Sequence, residues 1–258
     1  MHDREPFKVR LKSGEPAAGC WLWLCSPMAA EIIAQAGYDC VMIDLEHGPA
    51  SMRDSIGLMQ AVAGRRCAPL MRVPANDPVW LKRALDTGVD GVMVPTVSNA
   101  EQAAAAVRAC RYPPDGERGM AVSVVRAADY GADWQTYLRR INEDLLVICQ
   151  IETREGVERI EEIAKVDGVD MLFIGPFDLS ASLGFPGEPD HPDVRKAVLK
   201  IEQAAARAGK LLGSIQTAER PAERLFADGY RLVLADGDVT LLRDAARASV
   251  DRLRKGMH

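Results

Sequence analysis

Two carboxylates and an imidazole fall close together in IDLEHGP (43 to 49), where Asp44, Glu46 and His47 follow directly on the apolar run Cys40 to Ile43. Polar residues at the end of a strand-like run are carried by rigid backbone and yet open to solvent, which suits chemistry. The same placement recurs along the chain. Arg72 lies in PLMRVP (69 to 74), Gln150 and Glu152 close LLVICQIE (145 to 152), and Asp178 follows MLFIGP (171 to 176). An arginine inside an apolar run is costly to bury unpaired, so Arg72 must meet an anion of the protein or of a substrate. Glu152 and Asp178 suggest a hard divalent cation, which favours carboxylate oxygen and often needs only one or two protein carboxylates. No His or Cys stands beside them, which argues against structural zinc. Such a cation can chelate a 2-oxo acid through its carboxylate and keto oxygens, polarise the carbonyl and acidify the neighbouring C–H. His47 is then the candidate base, oriented by Asp44, and Arg72 would sit against the developing enolate oxygen. Each residue also has a structural alternative. Asp44 or Glu46 would serve as a helix cap, and Glu152 or Asp178 as half of an ion pair at a rim.

Short apolar runs alternate with longer amphipathic stretches, the rhythm of βαβ units on a parallel sheet. Eight runs read as strands: GCWLWL (19 to 24), CVMID (40 to 44), APLMRV (68 to 73), GVMVPTV (91 to 97), LLVICQIE (145 to 152), MLFIGP (171 to 176), KLLGSIQ (210 to 216) and YRLVLA (230 to 235). Eight parallel strands, each followed by a helix, close most economically into a (β/α)8 TIM barrel, whose chemistry sits at the C-terminal mouth. A doubly wound sheet competes, but no G-x-G-x-x-G follows the first strand. Two segments break the rhythm, 112 to 134 and 180 to 192, each rich in Pro and Gly. Long ordered loops of this kind are often lids or subunit contacts.

The 258 residues suit a single domain, 1 to 258, and the composition is that of an ordinary soluble protein with 48% apolar residues and a net charge of -5. That balance gives no reason to expect nucleic acid or an anionic membrane surface. No run reaches the length of a membrane span and MHDREPFK lacks a signal-peptide core, so a cytoplasmic location is expected. The six cysteines (20, 25, 40, 67, 110 and 149) have no C-x-x-C spacing and read as buried, reduced thiols. Of the other histidines, His2 and His258 are terminal and His191 sits in a loop at a helix start.

Four stretches in order, IDLEHGP (43 to 49), YPPDGERG (112 to 119), QIETREG (150 to 156) and IGPFDLSASLG (174 to 184), resemble the HpcH/HpaI family of metal-dependent, pyruvate-using class II aldolases. The resemblance implies reversible aldol cleavage of 4-hydroxy-2-oxo acids to pyruvate and an aldehyde. It also implies a magnesium, manganese or cobalt ion, and a hexamer, a trimer of dimers, whose C-terminal helix (about 239 to 255) is exchanged between subunits. Carried over residue by residue, the metal carboxylates fall on Glu152 and Asp178, the base on His47 with Asp44, and the enolate-stabilising arginine on Arg72. Gln150 and the backbone of Gly175, Pro176, Phe177 and Asp178 fall where the 2-oxo acid is held. Asp86 matches an acidic residue of the water network near the site, and Glu46 stands beside the base as its substitute. The chain departs from the family pattern at Phe177, at GSIQ (213 to 216) and at LADGD (234 to 238), which leaves the aldehyde open. Rival readings are an acyl-CoA lyase of the same superfamily and a barrel that binds a keto acid without turning it over. A lysine Schiff-base aldolase is disfavoured because Lys210 begins its strand, and a phosphate-binding barrel because ADGD (235 to 238) is acidic.

Overall fold

Eight parallel strands close in chain order: β1 (Ala17–Leu22), β2 (Cys40–Asp44), β3 (Ala68–Arg72), β4 (Gly91–Val94), β5 (Leu146–Ile151), β6 (Met171–Ile174), β7 (Leu211–Ser214) and β8 (Leu232–Gly237), with β8 returning to β1. This computed structural model describes residues 5–256, so His2 and His258 lie outside the described residues. The helices are α1 (Phe7–Lys12), α2 (Pro27–Gln35), α3 (Met52–Val62), α4 (Pro78–Asp86), α5 (Ala100–Cys110), α6 (Trp134–Asp144), α7 (Arg154–Glu158), α8 (Ile160–Ala164), α9 (Pro176–Leu183), α10 (Pro192–Ala208), α11 (Ala222–Ala227) and α12 (Asp238–Lys255). The expected (β/α)8 barrel is therefore the fold.

Side chains alternate across a strand, so each strand sends one set inward and one outward. Trp21, Met42, Leu70, Met93, Ile148 and Phe173 pack together inside the barrel, and Phe7 and Leu11 of α1 join them. Val41, Ile43, Met71, Val92 and Leu172 pack outward beneath the helices. Two residues beyond Met42 comes Asp44, beyond Leu70 comes Arg72, and beyond Ile148 come Gln150 and then Glu152. The period of two thus delivers four polar side chains to the top of one interior.

Strand ends differ from expectation where side chains intervene. The first strand stops at Leu22 because the Asp238 carboxylate accepts the N–H groups of Trp23 and Leu24, at 2.9 and 3.0 Å, and draws them off the ladder. The last strand correspondingly runs to Gly237, and its pairing with β1 shifts register between Gly19 and Cys20. The acidic LADGD stretch is accounted for structurally, since Asp236 accepts the Tyr38 hydroxyl at 2.7 Å while Asp238 holds β1's exit. GSIQ likewise ties three strands: Ser214 Oγ donates to the Ile174 carbonyl and Gln216 Nε2 to that of Ala235. Segment 112 to 134 contains a 3-10 helix, Arg126–Gly131, broken by left-handed Asp129 and Tyr130. Among the described residues all six cysteines are free thiols, with Cys25 alone not fully buried. Burial pushes Cys20, Cys110 and Cys149 up to about 12. No described helix is long and apolar enough to cross a membrane.

Candidate active site

Asp44 and Arg72 end adjacent strands in direct register, so their side chains meet on the same inward phase. Arg72 Nε donates to Asp44 Oδ1 at 3.0 Å and Nη2 to Oδ2 at 2.6 Å, a fork matched to a carboxylate. Asp44 is fully buried and Arg72 nearly so. The Trp23 indole N–H donates to Asp44 Oδ2 at 2.7 Å, and the N–H groups of Glu46 and His47 approach Oδ1 at 3.0 and 3.3 Å. Burial alone would raise this carboxyl, but the Arg72 bonds and charge, with the indole and Glu46 donors, hold it below the ordinary range. Beneath the guanidinium lies the face of Trp21, 4.4 Å from ring centroid to Cζ. Trp23 stacks on Trp21 and occupies space that any Cβ at Gly237 would enter, since such an atom would stand 2.0 Å from the indole.

Gln150 links this pair to Glu152: its carbonyl oxygen accepts Arg72 Nη1 at 3.4 Å and its amide donates to Glu152 Oε2. Glu152 Oε1 accepts the Thr96 N–H at 2.8 Å, presented by a left-handed backbone with φ of 58°. Gly175 is the residue that this crowding permits, because a Cβ there would lie 2.8 Å from Glu152 Oε2 and 3.1 Å from Gln150 Nε2. Burial pushes Glu152 up, the Thr96 N–H opposes it, and the charges of Asp178 and Glu46 add to it, giving about 7. Glu46 is also raised, by burial first, with Arg72 and His47 opposing and Asp44 and Asp178 contributing.

Asp178 stands exposed in the first turn of α9, near enough for its charge to raise both glutamates. Pro176 is buried and Phe177 is about half exposed on the same turn. His47 is 62% exposed, with Nε2 3.9 Å from Glu46 Oε2. Glu46 Oε2 in turn lies 3.0 Å from Arg72 Nη1, yet it is buried without accepting a hydrogen bond. Neither Asp44 nor Glu46 caps a helix, since Ser51 and Asp54 form the capping box of α3.

Two expectations need correction. Asp44 does not orient the His47 imidazole: its oxygens are occupied by Arg72, Trp23 and backbone N–H groups, so it fixes the His47 main chain only. Asp86 does not reach the rim of its own chain. It ends α4 just before β4 begins, at the strand-start end of the barrel, and there it accepts Arg118 Nη2 at 2.9 Å. Three residues that sequence reasoning passed over belong to the site: Trp21, Trp23 and Thr96. Trp21 sits at the inward phase of β1 and Trp23 follows two residues on, just past its end, a readable signal. The left-handed turn at Thr96 leaves no composition mark.

Glu46, Glu152 and Asp178 bring three carboxylates to one rim, where burial first, and then their mutual charge, raises Glu46 and Glu152. An oxygen donor set of this kind fits a hard divalent cation. Among the described residues no group of three or more His, Cys, Asp or Glu is arranged to hold a metal ion, and Glu152 and Asp178 are two carboxylates that could hold one with its remaining positions open. Lys210 lies at the far end of the barrel, its ammonium on the carbonyls of Val166 and Val169.

The profile described as HpcH/HpaI aldolase/citrate lyase matches residues 17–245. A hydroxypyruvate/pyruvate aldolase of Chromohalobacter salexigens is 40% identical over 251 residues, covering 97% of this chain and 98% of that protein. A 4-hydroxy-2-oxo-heptane-1,7-dioate aldolase of Klebsiella pneumoniae is 42% identical over 246 residues, covering 95% and 92%. A crystal structure of a family protein from Burkholderia cenocepacia superposes with a TM-score of 0.90 at 42% identity, covering 96% of this chain and 98% of that one.

Proposed function

The chain belongs to the HpcH/HpaI aldolase/citrate lyase family, and on that premise we propose that it is a divalent-metal-dependent aldehyde-lyase that cleaves a 4-hydroxy-2-oxo acid reversibly into pyruvate and an aldehyde. The observation that carries the reading is the continuous polar chain Trp23–Asp44–Arg72–Gln150–Glu152–Thr96 at the C-terminal mouth. A bound magnesium, manganese or cobalt ion would supply Lewis-acid polarisation of the keto group.

The chain's own residues do the rest. Glu152 and Asp178 would hold the cation. Phe177 and Asp178 present the free N–H groups of the α9 start to the substrate carboxylate, a favourable place for an anion, while Gly175 and Pro176 shape the turn that aims them. Gln150, fixed between Arg72 and Glu152, positions the 2-oxo acid. Arg72 is aimed by Asp44 and supplies positive charge where the keto oxygen becomes anionic. His47, exposed at the mouth, takes the proton of the 4-hydroxyl during cleavage and that of the pyruvate methyl in the reverse direction. Glu46 stands beside it and is the substitute base.

The assembly we propose is a homo-oligomer, a hexamer, with α12 exchanged between subunits. Exposed Leu241, Leu242, Val250 and Leu253 on α12, and Met28 and Ile32 on α2, support a covered face. Its cytoplasmic location is likewise a proposal. The test of function is to incubate the protein with pyruvate, a divalent metal and a panel of aldehydes, with acetyl-CoA plus glyoxylate as a separate arm, and to identify the products. Metal-dependent 4-hydroxy-2-oxo acids are expected, and a thioester product alone would overturn the reading in favour of an acyl-CoA lyase.

A further inference from the structure

The strand-start end of the barrel carries a cavity of about 740 Å³, away from the rim described above. Its walls include Phe7 at the foot of the barrel, Pro69 at the start of β3, and the side chains of Met59, Leu85, Tyr137 and Ile141. Four arginines and two aspartates also line this mostly apolar pocket.

Three of those arginines have carboxylate partners outside or at the edge: Arg65 with Glu31 at 3.6 Å, Arg66 with Glu15 at 2.5 Å, and Arg140 with Asp144 at 3.2 Å. Arg126 differs. It opens the 3-10 helix in the long segment 112 to 134 and is only 9% exposed. Its Nη1 donates to the Thr87 carbonyl at 2.6 Å, and among the described residues it has no ion pair. A guanidinium this buried, hydrogen-bonded to a neutral carbonyl and facing only the nearby charge of Asp129 with no carboxylate in contact, would gain from an anion in the cavity. Burial accordingly lowers its affinity for the proton, with Tyr130 and Asp129 opposing.

We propose that this cavity binds a small organic anion, a carboxylate or phosphate monoester on a compact apolar body, with the anionic head on Arg126 and the body against Phe7, Met59 and Tyr137. The cavity volume is in the range of small-molecule sites, and Arg126, the lining arginine without an ion pair among the described residues, specifies the sign of the ligand. The inference stands on residues that the aldol chemistry does not use.

Calorimetric titration of the full chain with phenylacetate and with phenyl phosphate tests it, using benzyl alcohol as the neutral control and inorganic phosphate as the control without an apolar body. Saturable binding of at least one of the two anions is expected, at one per chain, and weaker by about tenfold or more for both controls, the scale of a charged hydrogen bond. Arg126→Gln should weaken it to the level of benzyl alcohol. Ala63→Trp, which fills the cavity from an exposed position and leaves Arg126 in place, should block it as well. Excess pyruvate should not displace the ligand. Absence of binding, binding unchanged in both variants, or displacement by pyruvate would each overturn the proposal. So would a changed sedimentation coefficient in folded Arg126→Gln, which would mark the cavity as a contact between copies of the chain.

Discussion

Asp44 and Arg72 form the fixed point of the rim: partners in strand register, joined through two nitrogen–oxygen contacts of 3.0 and 2.6 Å, with neither side chain open to water. Breaking a buried pair leaves the surviving charge uncompensated, so substitutions here act on stability and on chemistry together.

Arg72→Lys keeps the charge and loses the planar fork, and one lysine cannot serve both Asp44 and the substrate oxygen. Turnover should fall by about 10² to 10³, the scale of losing one preorganised donor to a developing oxyanion. Steady-state cleavage assays, paired with thermal melting to confirm folding, provide the check. Wild-type turnover in a folded Arg72→Lys protein would remove Arg72 from the mechanism.

Burial, with the charges of Asp178 and Glu46, pushes the Glu152 carboxyl from an ordinary 4.5 up to about 7. A carboxyl raised by folding stabilises the protein fully below the unfolded value, and that contribution is lost as pH rises from about 4.5 through about 7. The loss is at most about 3 kcal/mol at alkaline pH. Urea denaturation in chelator should therefore show Glu152→Gln gaining on the wild type between pH 5 and pH 8. An identical pH dependence in the two proteins would contradict the crowded-carboxylate account.

Gly175→Ala places a methyl 2.8 Å from Glu152 Oε2 and must push that carboxylate aside. Manganese affinity, read by calorimetry, should fall alongside that of Glu152→Ala and Asp178→Ala, and chelation should abolish turnover in the wild type with magnesium, manganese or cobalt restoring it. Unimpaired manganese binding by both alanine variants at the two carboxylates would place the metal elsewhere.

His47→Ala should slow exchange of the pyruvate methyl protons with heavy water by about 10² to 10⁴, the usual contribution of a positioned acid or base. Pyruvate binding should survive, because the imidazole holds neither metal nor carboxylate in this scheme. Should the exchange rate be unaltered while Glu46→Gln loses it, the 3.9 Å neighbour Glu46 is the base.

Fold and rim residues were legible because both follow from period two: the inward phase that buries Met42, Leu70 and Ile148 is the phase that raises Asp44, Arg72, Gln150 and Glu152. What periodicity cannot show is how polar atoms divide their partners once together. Asp44 and His47, close in sequence, suggested a carboxylate–imidazole pair, but Arg72 from the next strand and Trp23 from the previous one reach that carboxylate instead. Asp86 stands off the rim of its own chain for a related reason, since its helix carries it to the opposite end of the barrel, beside Arg118. The early end of β1 was hidden because its cause, Asp238, lies more than two hundred residues away in the chain.

The Thr96 N–H that grips Glu152 belongs to the main chain, and every amino acid except proline brings the same donor. Position 96 can therefore drift in evolution without loosening the carboxylate, provided that the newcomer tolerates a φ of 58°; Gly or Asn would occupy it with less strain than Thr does. The part of the pocket that must stay constant is thus encoded by a backbone path, while the side chain at that step is free to be recruited for discrimination between substrates. Variation among relatives at such a residue would record changes of diet and not the decay of the catalyst.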